Sequence, residues 1–346
     1  MPNHTKIVID ASSRIYYASY YIQGLCEVFG KRNVTFSNAY FSDLKRKEIE
    51  FSFEHYFAFV VIQPDKSLKK IVIDFCDPPD INETAHKWCD IYAKINFNHN
   101  ETAKEFLEKI ISIPPSFSIK IWNKRETFYH CFNNLIKCKF SPIIGFKRFF
   151  QDYYVQNKRP QLHDYTNSDT LEASPKPYIF MIATLWGANG KKTNQQRKTF
   201  IELVKAKQCN FEGGFLTKEI TAEMEGFKDF IFTEAYSSKA YIEKTKRSDF
   251  VFNTPAVHKC HGWKLAEYLA MGKTIISTPP YNEMPENLKH SENIHIASDH
   301  EELAAAIHLM LNNAEYKNTL GKNAQAYFET FVSPKPVINR ILEKVI

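Results

Sequence analysis

The chain alternates between short, unbroken apolar runs and longer stretches whose apolar residues recur at helical spacing. In the first hundred residues the apolar runs are Lys6 to Asp10, Asn33 to Ser37, residues 55–63 (HYFAFVVIQ), Lys70 to Phe75 and Asp90 to Ile95. Runs of this length, rich in β-branched and aromatic residues and bounded by turn residues, predict strands. A helix is predicted to reach Phe29, with Ser12 or Ser13 as its N-cap and Gly30 at its end. Glu83 to Trp88 predicts a shorter one. The second half repeats the scheme. Tyr178 to Thr184, Cys209 to Phe215, Phe250 to Phe252, Thr274 to Thr278 and residues 293–297 predict strands. Helices are expected between them near 193–207, 237–246, from Trp263 onward, from the capping-box residues Ser298 to Glu302 through Asn312, and near 315–331. Gln161 to Lys176 is polar and reads as a linker. Strand and helix in alternation on both sides of a linker predict two α/β domains, each binding ligands at the carboxyl ends of its strands.

Composition narrows the function. A length of 346 residues suits two domains with separate cores. The hydrophobic fraction of 44% and charged fraction of 24% are those of a globular protein. A net charge of +6 is compatible with phosphorylated ligands or an anionic membrane surface, but too modest and dispersed for nucleic acid. The seven cysteines are odd in number and contain no CxxC, so reduced thiols are expected rather than a disulfide framework or a zinc site. The first residues lack a signal-peptide pattern, and no apolar run approaches bilayer-spanning length, so a cytoplasmic location is expected. No GxGxxG occurs, and Gly187 to Lys192 does not complete a P-loop.

The most informative stretch is Ser248 to Pro280, SDFVFNTPAVHKCHGWKLAEYLAMGKTIISTPP. It predicts strand, loop, helix and strand, with Gly272 where a helix C-terminus needs positive φ. Lys264 and Glu267 stand three apart on one helical face. One reading is a solvated ion pair. The other places an ammonium near a diphosphate and a carboxylate on a ribose diol. CHGWKLAEYLAMGKTIIST resembles the nucleotide-sugar motif in the C-terminal domain of GT-B glycosyltransferases. In that pattern Glu267 corresponds to the ribose-binding glutamate, Ala270 to Lys273 to the small-residue turn, and Ile275-Ile276 to the following strand. Many retaining members carry another glutamate eight residues earlier, where this chain has Lys259. A cation three residues before the glutamate, as Lys264 stands, is similar to the exostosin-like and capsule-polysaccharide form.

The resemblance implies a GT-B fold of two Rossmann-like domains facing across a cleft. Residues 1–160 would bind the acceptor, 161–176 link the halves, 177–330 hold the donor, and 331–346 form a helix returning to the first domain. The donor would be a nucleotide-diphosphate sugar held by Glu267 and Lys264 with the His261-Gly262-Trp263 helix start. The first loop of the donor domain adds Trp186, Lys191, Lys192 and Arg197, although a solvated lysine-rich turn is an equal reading there. No metal and no other cofactor is expected, because side chains and helix dipoles do that work. Lys264 is also the catalytic cation, neutralising the departing diphosphate.

In the first half, Asp74 and Asp77 end a predicted strand. Asp77 is the expected base if the reaction inverts, with a turn-forming role as the alternative. Ser12, Ser13 and Arg14 are candidates for acceptor binding, with helix capping as the alternative. Residues 130–160 interleave Lys137, Lys139, Lys147 and Arg148 with aromatic residues. They suit either an anionic leaflet at the inner face of a membrane or a helix pair with one buried face. The function expected is sugar transfer to a glycan or lipid-linked acceptor in surface polysaccharide synthesis. A GT-B-shaped epimerase or hydrolase and a non-catalytic sugar-nucleotide-binding scaffold are the alternatives.

Overall fold

The computed structural model describes residues 5–44, 46, 56–140, 145–166 and 176–344. The chain divides into two units, Met1–Leu162 with Glu283–Pro285 and Phe331–Ile346, and His163–Asn282 with Glu286–Thr330. Both are α/β, the class expected from the alternation.

In the first unit β1 (Lys6–Asp10), α1 (Ile15–Phe29), β2 (Val34–Ser37), β3 (Tyr56–Ile62), β4 (Leu68–Asp74), α2 (Glu83–Trp88), β5 (Ile91–Lys94) and β6 (Ile110–Ser112) build a sheet of order β2-β1-β3-β4-β5-β6. It is not the simple succession of crossovers that the sequence suggests. β3 runs antiparallel to both β1 and β4. The β3–β4 connection is the tight turn Gln63–Ser67, closed by Lys66 N–H donating to the Gln63 carbonyl at 2.9 Å. A parallel crossover needs a dozen or more residues, so this short link dictates a hairpin. β3 is buried along nearly its whole length, which explains its continuous apolar sequence.

The carboxyl edge of this sheet holds buried charge. Lys94 is 0% exposed and donates to Asp74 at 2.8 Å, and the Tyr92 hydroxyl donates to the same carboxylate at 2.6 Å. Asp74 is thus a structural anion and not a candidate base. The expected capping of α1 by Ser12 or Ser13 is not formed, because the helix begins one residue later, with Arg14 at the cap position. Ser12 Oγ donates instead to Asp10 at 2.7 Å. Arg14 is buried with its guanidinium on Asp152 at 2.7 Å.

That pair fastens α4 (Phe146–Lys158), which lies beside α3 (Lys124–Lys137). The inner sides of both helices are packed, with Cys131 and Leu135 on α3 and Phe149 and Tyr153 on α4 buried. Asn134 donates to the Tyr153 hydroxyl at 2.8 Å and Gln156 to the Ile119 carbonyl at 3.0 Å. The described part of residues 130–160 is therefore a pair of helices, α3 and α4, with a buried face. Ile143 and Ile144 of that stretch lie outside the described residues.

α5 (Leu162–Thr166) occupies the start of the expected linker, whose residues 167–175 lie outside the described residues. The second unit contains β7 (Tyr178–Thr184), α6 (Lys191–Ala206), β8 (Asn210–Leu216), α7 (Ser238–Arg247), β9 (Val251–Asn253), α8 (Trp263–Ala270), β10 (Ile275–Ser277), β11 (His295–Ile296), α9 (His300–Asn312) and α10 (Ala314–Tyr327). β7 pairs with β8, and β11-β10-β9 form a second ladder, all of them parallel. The ladders meet where Asp249 N–H donates to the Tyr178 carbonyl at 2.8 Å and Phe180 N–H to Ser248 Oγ at 2.9 Å. α9 starts on Asp299, whose carboxylate accepts from Glu302 N–H at 2.9 Å. The core joins Ile179, Phe200, Phe252, Ile276 and Ile307, all at most 4% exposed.

The last helix, α11 (Pro334–Leu342), belongs to the first unit and packs on α1. Gly24 makes this possible, since a Cβ there would stand 2.4 Å from the Pro334 carbonyl oxygen. Tyr20 donates to the Val332 carbonyl at 2.8 Å and secures the chain just before α11.

Replacing Asp74 with alanine would leave the Lys94 ammonium buried without its counter-charge, a change that typically costs about 3–5 kcal/mol. Urea unfolding is expected to show a loss of that order for Asp74→Ala. A loss under about 1 kcal/mol, the scale of exposed pairs, would mean that Lys94 is not held as an ion pair.

Candidate functional site

α8 follows β9 after the loop of residues 254–262, and its position follows from its neighbours in sequence. Its buried residues, from Leu265 to Ala270, face the unit's interior, and Gly272 with φ +60 turns the chain into β10. The N-cap position is Gly262, so no side chain caps the first turn. A helix start at the carboxyl edge of parallel strands carries partial positive charge and suits an anion.

On this helix the two charged residues are joined by a third group. Lys264 Nζ donates to the Tyr241 hydroxyl at 3.2 Å, and that hydroxyl donates to Glu267 Oε2 at 3.1 Å. The ammonium also lies 4.6 Å from the centre of the Tyr241 ring. Glu267 is buried and Lys264 half-buried. The pair is therefore not the solvated one that spacing alone permits. Burial pulls the Lys264 ammonium down to about 8, Glu267 opposes that shift, and the Arg197 charge adds to it. Tyr241 is pushed well above its usual range, first by burial and then by the Glu267 charge, so its proton stays in place between the two. Nothing local to Tyr241 announces this role. It sits in the first half of α7, and only the tertiary packing of α7 against the start of α8 reveals it.

The loop after β7 joins the same region. Gly190 precedes α6, and a Cβ there would lie 2.2 Å from Trp186 Cβ, so the turn requires glycine. Asn194 closes the turn by donating to the Trp186 carbonyl at 2.7 Å. Thr193 Oγ1 donates to the Pro255 carbonyl at 2.9 Å, and Arg197 Nε donates to Thr254 Oγ1 at 3.0 Å. These bonds tie α6 to the loop that follows β9. Arg197 is buried, and burial pulls its guanidinium down to about 10. Lys191 and Lys192 are exposed at the start of α6.

The structure thus joins Lys264 and Glu267 through Tyr241, with the Arg197 charge acting on Lys264 and the Trp186–Lys192 turn stitched to the neighbouring loop. His261 is buried and its Nε2 bonds to the Asn282 carbonyl at 3.1 Å, which fixes the loop before α8. Trp263 is half-buried as the first residue of that helix. His258 and Lys259 both adopt left-handed backbone, with φ of 56° and 58°. Such a pair is strained for residues with side chains and is held here by surrounding bonds. Asn282 donates to the Lys259 carbonyl at 3.0 Å, and Lys259 Nζ lies 3.8 Å from the Tyr281 ring centre. Lys259, at the place of the second glutamate in retaining enzymes, therefore anchors the loop.

The first-unit candidates fare differently. Asp77 is half-buried in the bend that follows β4. The binding role expected of Arg14 is corrected to a structural one, since Asp152 already neutralises its charge. Ser12 is engaged with Asp10, and Ser13 is buried at 3% exposure.

A glycine-started helix thus bears a partly desolvated cation and a buried carboxylate, groups whose chemistry suits an anionic, hydroxyl-bearing ligand. Residues 199–343 match the family described as Glycosyl transferase-like, a stretch that contains α8 with Lys264 and Glu267. The match covers less than half of the chain and includes the stretch Ser248 to Pro280 that carries the resemblance. No curated protein matches the sequence. Among solved structures, the chain is similar to Anabaena HepE in complex with UDP and glucose, at 12% identity and a TM-score of 0.44, over 76% of this chain and 64% of that one. It is similar to a glycosyltransferase from Rickettsia africae at 13% identity and a TM-score of 0.45, over 77% and 68%. A third likeness is the C-terminal domain of the Francisella tularensis group 1 glycosyl transferase LpcC, at 15% identity and a TM-score of 0.32, over 44% and 84%. The chain thus spans 64% of the length of the Anabaena protein.

Burial lowers Lys264 to about 8, so any attraction it exerts on a diphosphate would be full well below that pH and would decline above it. Linkage allows a fall in nucleoside diphosphate affinity of up to about tenfold per pH unit, until the raised pKa of the complex is reached. Calorimetric titration between pH 7 and 10 is expected to show this fall in the natural chain and a flatter profile in Lys264→Arg. Identical profiles would remove Lys264 from the anion site.

Proposed function

We propose that the chain is a glycosyltransferase that moves a sugar from a nucleotide-diphosphate sugar to a glycan or lipid-linked acceptor, in surface polysaccharide synthesis on the inner side of a membrane. The observation that carries this reading is the hydrogen-bonded series Lys264, Tyr241, Glu267 at the start of α8. Glu267 accepts from the ribose hydroxyls. Lys264 faces the diphosphate, with Arg197 as the second nearby cation and Lys191 and Lys192 beside Trp186 on the adjacent turn. The helix start at His261, Gly262 and Trp263 contributes its dipole.

In the reaction, the bond between the anomeric carbon and the diphosphate oxygen breaks, and a bond to the acceptor oxygen forms. Negative charge grows on the leaving diphosphate, where a positioned cation in a partly desolvated setting is most effective. Lys264 and the helix dipole supply that stabilisation without a metal in this scheme. The acceptor proton must go to a base, and Asp77 is the residue proposed for it if the transfer inverts. Tyr241 is a positioning residue, keeping the cation and the carboxylate a fixed distance apart.

Three measurements test the proposal. A thermal-shift screen against UDP, GDP, CMP and dTDP is expected to give stabilisation by one base class, through ligand linkage. With the preferred nucleotide sugar, Glu267→Ala is expected to lose roughly 1.5–3 kcal/mol of binding, the value of hydrogen bonds to a charged group. Unchanged calorimetric affinity in that variant would contradict the ribose assignment. Nucleoside diphosphate released only with an acceptor supports transfer. Release without acceptor points to hydrolysis or epimerisation, and binding without turnover points to a scaffold.

A further inference from the structure

Among the described residues, the large apolar side chains left exposed are concentrated on α3, its C-terminal turn and α4, which hold eight of eleven. On α3, Phe128, Phe132 and Ile136 recur every four residues, 66%, 43% and 58% exposed. On α4, Phe146, Phe150 and Tyr154 repeat the spacing, 52%, 39% and 64% exposed. Residues four apart share one helical face, so each helix carries a continuous outward stripe. The stripes meet, with Phe128 and Phe132 ring centres 4.4 Å apart and Phe132 and Phe150 6.3 Å apart. They are not an unfinished core, because the opposite faces of both helices are already buried and hydrogen-bonded, to each other through Asn134 and Tyr153 and to the rest of the unit through Lys137 and Gln156.

The charge around the stripes is one-sided. Between residues 124 and 158 there are seven lysines and arginines against two acidic residues, within a chain whose whole net charge is +6. Both acids are occupied locally. Asp152 is buried against Arg14, and Glu126 accepts from Asn123 N–H at the start of α3 and faces Lys31 at 3.5 Å. Lys124, Arg125, Lys139, Lys147 and Lys158 are exposed beside the aromatic rows, with Lys158 Nζ 5.4 Å from the Tyr154 ring centre.

We propose that this face of the first unit docks on an anionic lipid bilayer surface, with the six stripe residues entering the headgroup boundary and the basic residues meeting lipid phosphates. Aromatic rings amid lysine and arginine, on a helical face too short to span a bilayer, have the chemistry of an interfacial contact. Juxtaposed positive charge adds attraction that decays within a Debye length and so weakens with salt. The face gives the sugar-transfer reading a location for a lipid-linked acceptor, but it does not depend on that reading, since none of its residues belongs to the α8 site.

The test is co-sedimentation of the full chain with vesicles of phosphatidylcholine and phosphatidylglycerol, compared with phosphatidylcholine alone. Binding is expected to the anionic vesicles, weaker by about tenfold or more on the neutral ones and reduced in high salt. The combined change Phe128→Ser, Phe132→Ser and Phe150→Ser is expected to lower the partition coefficient by about tenfold or more, with nucleotide affinity unaltered. Should that variant not fold, Lys139→Glu with Lys147→Glu reads the electrostatic part alone and is expected to abolish selectivity for anionic lipid. Failure of the natural chain to sediment with anionic vesicles overturns the proposal. So does light scattering that shows a dimer broken by the serine variant, which would make the face a contact between two copies. Nucleotide binding measured in the same preparations keeps these outcomes separate from the fate of the α8 site.

Discussion

Keeping a lysine and a glutamate together inside a folded unit is the constraint on which the second half of the chain depends. Charged groups removed from water cost several kcal/mol each unless they are paired and hydrogen-bonded. The Tyr241 hydroxyl meets that need by accepting from Lys264 and donating to Glu267. The arrangement fixes much of what surrounds it. α7 must pack beside α8 to deliver the hydroxyl, and Arg197, tied to Thr254 Oγ1, adds its charge to the lowering of Lys264. A half-buried cation with a loosened proton, one helical turn from a buried carboxylate, is a poor way to stabilise a fold. As a seat for a diphosphate and a ribose the same arrangement is apt, because the ligand supplies the missing negative charge.

The first unit uses buried charge for a different end. Asp74 with Lys94, Asp10 with Arg46 and Arg14 with Asp152 are each closed ion pairs with separations of 2.7 to 2.8 Å. Asp10, Asp74 and Lys94 are the last residues of their strands, so the pairs fix the loops that leave the carboxyl edge of the sheet. Closed pairs leave no charge for a ligand, which is why Arg14 and Asp74 drop out as binding groups. The Arg14–Asp152 pair also sets the orientation of α4. With its inner side committed, the outer aromatic row has only solvent or a partner to face.

Much of this was legible in the sequence. Continuous apolar runs such as Tyr56 to Ile62 and Ile71 to Asp74 predict strands because side chains buried on both faces leave no polar alternation. Lys264, Glu267 and the turn at Gly272 stood out because their spacing on one helix is a local property. What the sequence did not disclose depends on contacts between distant segments. The antiparallel direction of β3 rests on a turn only a few residues long, which apolar runs alone do not report. The partner of Arg14 lies 138 positions away. Tyr241 lies 23 positions before Lys264, on a different helix. The aromatic row on α3 and α4 was visible as composition, but its exposure became apparent only once the opposite faces were seen to be filled.

The central claim is that Lys264 faces the diphosphate of a nucleotide sugar. Competitive labelling with an amine-reactive anhydride near pH 8, read residue by residue by mass spectrometry, tests it most directly. Lys264 and Lys273 are both lowered to about 8 by burial, but Lys273 is tied to the Lys246 carbonyl at 2.8 Å and to the Ser248 carbonyl, away from the Tyr241 hydroxyl. Lys273 is therefore an internal control. Addition of the nucleotide diphosphate that stabilises the chain is predicted to protect Lys264 and leave Lys273 unchanged. Equal labelling of Lys264 with and without that nucleotide would contradict the account.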